Sequence, residues 1–141
     1  MEQNNDLVYL YGFSGHKNVK LKSVMIVCED SPFGKNSVIE SIRMATGLLA
    51  IGDLDNCQVI FMGDAVYFLN KSLNPEALNV DPFSNIMRLM ELSDIEVYVH
   101  DEALDSAGLE HLDLISYENL KIVNNEEISR LILEANMTFK Y

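Results

Sequence analysis

Three groups of polar residues directly follow apolar segments of strand length, and their side chains could do chemistry. They are Cys28-Glu29-Asp30, Gly63-Asp64-Ala65 and His100-Asp101-Glu102. A histidine titrates near neutral pH and can act as a general base, a ligand or a hydrogen-bond donor. A cysteine becomes a nucleophile when its thiolate is stabilised. None of the three groups is a functional motif alone, so they can form a functional site only if the fold brings them together.

His100 ends the apolar segment EVYV (96–99) and precedes two acidic residues. Asp101 and Glu102 could orient its imidazole ring, which would favour a role in binding or catalysis. The alternative without chemistry is a strand that ends in water, with His100 partly exposed. The residues alone leave both explanations open.

Of the two cysteines, only Cys28 lies at the end of a predicted strand. Lys35 and the start of the next predicted helix would lower the pKa of its thiol, whereas the charges of Glu29 and Asp30 would raise that pKa. Cys28 is therefore a candidate nucleophile, and an inert, half-buried cysteine is the alternative. Cys57 lies within the apolar segment CQVIFM, and we expect it in the core as a reduced thiol. The cysteines form neither a disulfide framework nor a metal-ligand spacing, so no metal site is predicted.

Asp64 and Tyr67 follow the second apolar segment and complete the set of pocket candidates, together with His100 and Asp101. Asp64 is also explained as the cap of a short helix, and Tyr67 as a packing or interface residue. Common motifs of phosphate-binding and hydrolytic sites are missing. SPFGKNS (31–37) holds a Gly-Lys pair but is not a P-loop, and GxGxxG, GxSxG and HExxH do not occur. We therefore expect no cofactor, and the ligand of such a pocket stays unknown.

The composition indicates one acidic globular domain. The 141 residues are 48% apolar and carry a formal net charge of −12. A chain of this size can bury a full core, while its negative field repels phosphate backbones and disfavours direct nucleic-acid binding. No apolar run reaches the ~18 residues that a membrane span needs. The first residues lack the basic segment of a signal peptide, so we expect a cytoplasmic protein.

Strand and helix patterns alternate along the chain from residue 22 onwards. Near-continuous apolar runs predict strands that are buried on both faces. Helical spacing of apolar residues predicts the helices, with caps at Ser37, Asp81 and Asn124 and glycine stops at Gly52 and Gly108. The strand segments are 22–28, 57–63, 96–99, 120–124 and 137–139, and the main helix segments are 36–51, 82–92, 103–108 and 126–135.

This alternation predicts a three-layer α/β domain over residues 22–141, in which helices cover both faces of a five-stranded, mostly parallel sheet. Residues 1–21 are expected to form an N-terminal arm or an extra edge strand. Ligands of such sheets bind beyond the carboxyl ends of the strands. If the first three strands of the domain are neighbours, Cys28, Asp64 and His100 lie along one edge and share a pocket.

Four segments occur in a characteristic order: SPFGKNSVIESIRMATGLLA (31–50), VIFMGDAVYFLNKSLNPEAL (59–78), IEVYVHDEALDSAGL (95–109) and the final strand segment MTF. Together they resemble the DsrE/DsrF/TusD/TusC family, the DsrE superfamily, and most of all its DsrF/TusC branch. The resemblance covers residues 22–141 and implies the same five-stranded fold. It also implies assembly into trimers or hexamers, built from one chain or from related subunits. Some members of the family pass persulfide sulfur between cysteines, so a sulfur-carrier protein is a possible partner.

The sequence departs from the family at the sulfur-carrying position. The resemblance places the family's third-strand cysteine at about Tyr98, or at His100 in the TusC-like branch, and neither residue is a cysteine. A histidine cannot hold a persulfide, because sulfur transfer requires a sulfur nucleophile. Asp64, Tyr67 and His100 match the residues around the family's pocket. The resemblance therefore implies an accessory protein of sulfur-relay type, a structural or binding subunit rather than an enzyme.

Two other functions stay open on the sequence. A sulfurtransferase could use Cys28, provided that its thiol is exposed and faces the shared pocket. A small-molecule-binding module could use the cleft at the strand ends, although no phosphate-binding motif supports it.

Overall fold

The structure is a computed structural model that describes residues 9–11, 18–20, 22–51 and 54–141. Its strands are β1 (Tyr9–Tyr11), β2 (Asn18–Lys20), β3 (Ser23–Cys28), β4 (Asn56–Phe61), β5 (Glu96–His100), β6 (Leu120–Val123) and β7 (Met137–Lys140). Its α-helices are α1 (Ser37–Ile51), α2 (Ser84–Ser93), α3 (Asp101–Ala107) and α4 (Asn125–Glu134). Short 3₁₀ helices cover Gly63–Leu69, Pro75–Leu78 and His111–Asp113.

Strands β3 to β7 form one parallel sheet in the order β6-β5-β4-β3-β7. The strands β3, β4 and β5 are therefore direct neighbours, with Cys28, Phe61 and Val99 side by side in register. β1 and β2 pair antiparallel as a separate two-stranded sheet. The rest of the predicted N-terminal arm lies outside the described residues. The predicted α/β fold with a five-stranded parallel sheet is confirmed.

Helices cover both faces of the sheet, with the larger core on one side. On that side α1 and α2 contribute the fully buried Ile42 and Met90. On the other side a smaller cluster around Met25 packs against Ile128 of α4. β3 is buried from Val24 to Cys28, which explains why its sequence is an unbroken apolar run. Burial of each large apolar side chain contributes roughly 1.5–3 kcal/mol, so this central strand anchors the domain.

Ser37 and Asp81 do not cap helices, and both predictions are wrong for the same reason. The Ser37 hydroxyl lies inside the first turn of α1 and donates to Asp30 Oδ2 at 3.2 Å. α2 begins three residues after Asp81, directly behind Phe83. The Phe83 ring packs against Phe68 with centroids 5.4 Å apart, so the aromatic core fixes where the chain enters the helix. Tertiary contacts override the local capping pattern at both positions.

Asn124 and Gly108 occupy the predicted helix ends. Asn124 Oδ1 accepts from the Glu127 N–H at 2.9 Å, and Glu127 Oε1 accepts from the Asn124 N–H at 3.0 Å, which is a complete capping box. Gly108 follows α3 at φ 72°, a left-handed conformation that favours glycine. The predicted stop at Gly52 lies outside the described residues. Within the part of the chain that the structure describes, no helix combines the length and apolar character needed to cross a membrane.

Candidate functional site

A cleft of about 340 Å³ opens at the carboxyl ends of β3, β4 and β5. Three of the candidates from the sequence, Asp64, Tyr67 and His100, line it together. The volume falls in the range of small-molecule pockets, roughly 300–1,000 Å³. The structure thus brings the candidates into one place, while their binding role stays a prediction. Other lining residues include Glu29, Met62, Gly63, Glu102 and Ser106.

Gly63 allows the turns after β3 and β4 to approach each other. Its backbone has φ +49°, and a Cβ at this position would lie 2.9 Å from the backbone oxygen of Glu29. The neighbouring Met62 N–H donates to the Cys28 carbonyl at 2.9 Å and ties the same two turns together. Any side chain larger than hydrogen would push the turns apart. The glycine therefore sets the position of Glu29 relative to Asp64 in the cleft wall.

His100 belongs to a hydrogen-bonded chain of three side chains. Its Nε2 lies 2.6 Å from Asn125 Oδ1, at the start of α4. The Asn125 amide in turn donates from Nδ2 to Glu102 Oε2 at 2.8 Å. The His100 side chain is only 12% exposed. His100 is thus partly exposed, as the alternative without chemistry expects, but its ring is also held by Asn125 of α4, which Glu102 of α3 holds in turn.

Asp101 has a different role from the one predicted. Its carboxylate accepts from the Glu102 N–H at 2.6 Å and lies 3.9 Å from His100 Nε2. It belongs to the first turn of α3, where this bond reaches only the next residue, and it does not line the cleft. The orienting role predicted for the two acids therefore falls to Glu102, which acts through Asn125.

One group of three potential metal ligands occurs among the described residues. Ligand atoms of His100, Asp101 and Glu102 lie within 4.8 Å of one another. Each of them already has a structural contact: His100 Nε2 and Glu102 bind Asn125, and Asp101 accepts from the Glu102 N–H. The expectation that the protein holds no metal stays a prediction.

Cys28 is fully buried and does not reach the cleft. Burial raises the pKa of its thiol to about 11 and outweighs the hydrogen bonds with Ser41 and the Asp30 backbone, which lower it; the charges of Asp30 and Glu29 add a smaller upward contribution. Lys35 pairs with Asp30 at 3.6 Å, so its charge is engaged there. This burial favours the alternative of an inert cysteine, because the strand end turns Glu29 and not Cys28 into the cleft.

Cys57 is buried in the core, as predicted. Burial alone raises the pKa of its thiol to about 11. Neither cysteine of the chain therefore presents a thiolate near the cleft at neutral pH.

Tyr98 occupies the other position that the resemblance assigns to a cysteine. Its hydroxyl accepts from Gln58 Nε2 at 3.1 Å. Burial, followed by the charge of Glu96, raises the pKa of this hydroxyl. The side chain packs with the smaller core on the α4 side and lies outside the cleft. This position therefore carries a structural hydrogen bond and no sulfur chemistry.

The cleft has an acidic lining. The carboxylates of Glu29, Asp64 and Glu102 all contribute to it. Lys140 Nζ lies 3.0 Å from Glu29 Oε1 and offsets the charge of that carboxylate, so the acidic character of the lining rests on Asp64 and Glu102. With a net charge of −12 on the whole chain, the cleft disfavours phosphates and favours neutral or cationic groups.

Asn125 is the residue that the sequence analysis missed. It follows the capping residue Asn124, and the local pattern explains it as an ordinary first residue of a helix. Only the order of the strands in the sheet could have pointed to Asn125. β6 is the neighbour of β5, with Val123 beside His100 in register, so the turn after β6 joins the same edge of the sheet.

Comparison with known proteins gives a family and a fold. Residues 22–141 match the family described as the DsrE/DsrF-like family. No curated protein matches the sequence significantly. The crystal structure of the ychN protein from E. coli is similar at a TM-score of 0.71 and 20% identity, covering 86% of this chain and all of that one.

A second solved structure has the same fold. MTH1491 from Methanobacterium thermoautotrophicum, a protein of unknown function, aligns at a TM-score of 0.59 and 17% identity, covering 86% of this chain and 99% of that one. At these identities, both structures show the fold alone.

Substitution of Gly63 tests whether the close approach of the two turns holds the cleft together. We expect Gly63→Ala to lower the free energy of unfolding by roughly 1–3 kcal/mol, because alanine is strained at positive φ and its Cβ meets a backbone oxygen. The measurement is the urea midpoint at constant m-value.

Gly47→Ala is the matched control for this substitution. Gly47 lies in α1, and an added Cβ meets no atom within 4 Å. We expect it to stabilise the protein by about 0.5–1 kcal/mol. Equal stability of Gly63→Ala and the natural protein would contradict the tight approach.

Proposed function

Since this chain belongs to the DsrE/DsrF-like family, we propose that it is an accessory protein of sulfur-relay type, in the DsrF/TusC branch. In this role it is a structural or binding subunit that presents the strand-end cleft and does not carry persulfide sulfur itself. A sulfur-carrier protein is the partner class that such a role implies.

The observation that supports a non-carrying role is the position of the two thiols. Cys28 and Cys57 are buried, and both have a thiol pKa of about 11. At pH 7 such a thiol is ionised in roughly one molecule in ten thousand, and the thiolate is the species that attacks a persulfide. The cleft instead contains His100, which is held by Asn125 and has no sulfur to offer.

Assembly into a trimer or hexamer is part of the proposal, either from this chain alone or with related subunits. The family resemblance suggests this assembly, and exposed apolar side chains could be buried in its subunit interfaces. Large apolar side chains that are exposed in the single chain include Leu78, Leu92, Leu112 and Leu133. Leu92 belongs to α2 and Leu133 to α4, which cover opposite faces of the sheet, so an interface on either face would bury one of them.

Light scattering of the full chain tests this assembly. We expect a mass of three or six times the 15.9 kDa of one chain at micromolar concentration. The physical reason is that apolar side chains left in water favour burial in an interface. A monomer at this concentration would count against the assembly and against a role as a ring subunit.

A small-molecule-binding module is the second candidate function, and the size and charge of the cleft favour it. A cleft of about 340 Å³ with three carboxylates is suited to a small ligand with N–H donors. Such a ligand would use Asp64 and Glu102 as acceptors, with Tyr67 and Ser106 as neutral partners. This function is compatible with an accessory role in a larger assembly.

Thermal unfolding with two probes of opposite charge tests this candidate. We expect spermidine to raise the Tm, since a ligand that binds only the folded state stabilises it, and citrate to leave the Tm unchanged. Asp64→Asn should reduce the shift, whereas Asp105→Asn should not, because Asp105 is an exposed acid of α3 outside the cleft. An equal loss in both variants would indicate non-specific attraction to an acidic protein.

A further inference from the structure

The chain of side chains from Glu102 through Asn125 to His100 connects α3, α4 and β5 beside the cleft. Its two hydrogen bonds are 2.8 Å and 2.6 Å long. His100 and Glu102 line the cleft, and Asn125 joins them without lining it. Asn125 lies 25 residues from His100 and 23 from Glu102, and it meets them because β6 pairs with β5. The order of donors and acceptors along this chain determines which nitrogen of the ring carries the proton.

The Glu102 carboxylate determines the direction of these hydrogen bonds, since an ionised carboxylate can only accept them. Glu102 therefore faces the amide nitrogen of Asn125, and the amide oxygen must point the other way, at His100 Nε2. An amide oxygen can only accept, so Nε2 must carry the hydrogen. In the neutral ring the other nitrogen, Nδ1, is then a bare acceptor. No hydrogen bond from the described residues reaches Nδ1.

We infer that Glu102 and Asn125 are positioning residues that lock His100 in the Nε2–H tautomer, so that Nδ1 serves as a hydrogen-bond acceptor for a group bound in the cleft. The group must carry an N–H or O–H donor, which agrees with the acidic lining. The inference about the ligand rests on the proposed binding role of the cleft. The tautomer lock does not rest on that proposed role, since it depends only on hydrogen bonds within this protein.

A purely structural clip between α4 and β5 is the competing explanation. A clip would also cost stability when removed, so unfolding experiments do not separate the two. Both explanations require an Nε2–H in the hydrogen bond to Asn125, so they differ at Nδ1: only the proposed role requires this nitrogen to respond to a donor bound in the cleft. Long-range ¹H–¹⁵N correlation NMR reads the protonation of both ring nitrogens directly, above the pH at which the ring titrates.

The experiment uses the full ¹⁵N-labelled chain, and His100→Gln assigns the ring among the three histidines. We expect a single neutral tautomer with a slowly exchanging Nε2–H proton. Asn125→Ala should speed exchange of this proton by about tenfold or more, because the stabilising hydrogen bond from Nε2 to Asn125 is lost. Glu102→Gln should weaken the lock, since a glutamine amide no longer fixes the orientation of Asn125.

Two control variants keep the result interpretable. Asn125→Asp should keep the Nε2–H tautomer, because a carboxylate also accepts from Nε2. Glu126→Gln removes an equal charge from an exposed position beside Asn125 and should leave the ring unchanged.

If Asn125→Ala fails to fold, Glu102→Gln provides the test, since Glu102 is exposed and its loss removes no core contact. An Nδ1–H tautomer, a mixture in the natural protein, or unchanged exchange in Glu102→Gln and Asn125→Ala would overturn the lock.

Titration of the same sample tests the acceptor role. Spermidine, which carries N–H donors, should shift the Nδ1 resonance of His100 in a saturable way, and citrate should not. An Nδ1 resonance that spermidine leaves in place would overturn the acceptor role while the tautomer result stands. A monomer in light scattering would instead count against the proposed assembly and leave both NMR results unaffected.

Discussion

The turns that follow β3 and β4 approach so closely that only glycine fits between them. Met62 N–H donates to the Cys28 carbonyl at 2.9 Å, and a Cβ on Gly63 would lie 2.9 Å from the Glu29 backbone oxygen. This approach brings the exits of two parallel strands to one rim. β5 pairs along the other side of β4, so His100 joins the same rim. The cleft and its acidic lining depend on this geometry, and the pairing of β6 with β5 adds the contact that holds His100.

Much of the fold follows from the sequence because apolar periodicity predicts each strand and helix, and their alternation predicts a parallel sheet. The sequence could not show which side chain at the end of β3 faces the cleft. An unbroken apolar run buries both faces and lacks the alternation that would separate Cys28 from Glu29. The partner of His100 was equally hidden, since Asn125 meets it only through the pairing of β5 with β6. Ser37 shows the same limit, because a contact with Asp30 replaces the expected cap.

Burial explains why the two thiols of this chain are poor nucleophiles at neutral pH. The thiol at the end of β3 is stable in its neutral form because the core excludes water, and its pKa is about 11. The strand-end position that the family resemblance gives to a reactive cysteine holds His100, which is bonded to Asn125. The residues that remain in the cleft accept hydrogen bonds and repel anions. Binding is therefore better supported by this site than group transfer.

The most direct test of a non-carrying subunit is the intact mass of the folded protein after incubation with a persulfide donor. We predict that the mass stays unchanged at neutral pH, because both thiols are buried and protonated. The same treatment in denaturant, where the thiols are exposed, should add sulfur and serves as the positive control. Added sulfur on the folded protein that disappears in Cys28→Ser would contradict the account and identify a sulfurtransferase.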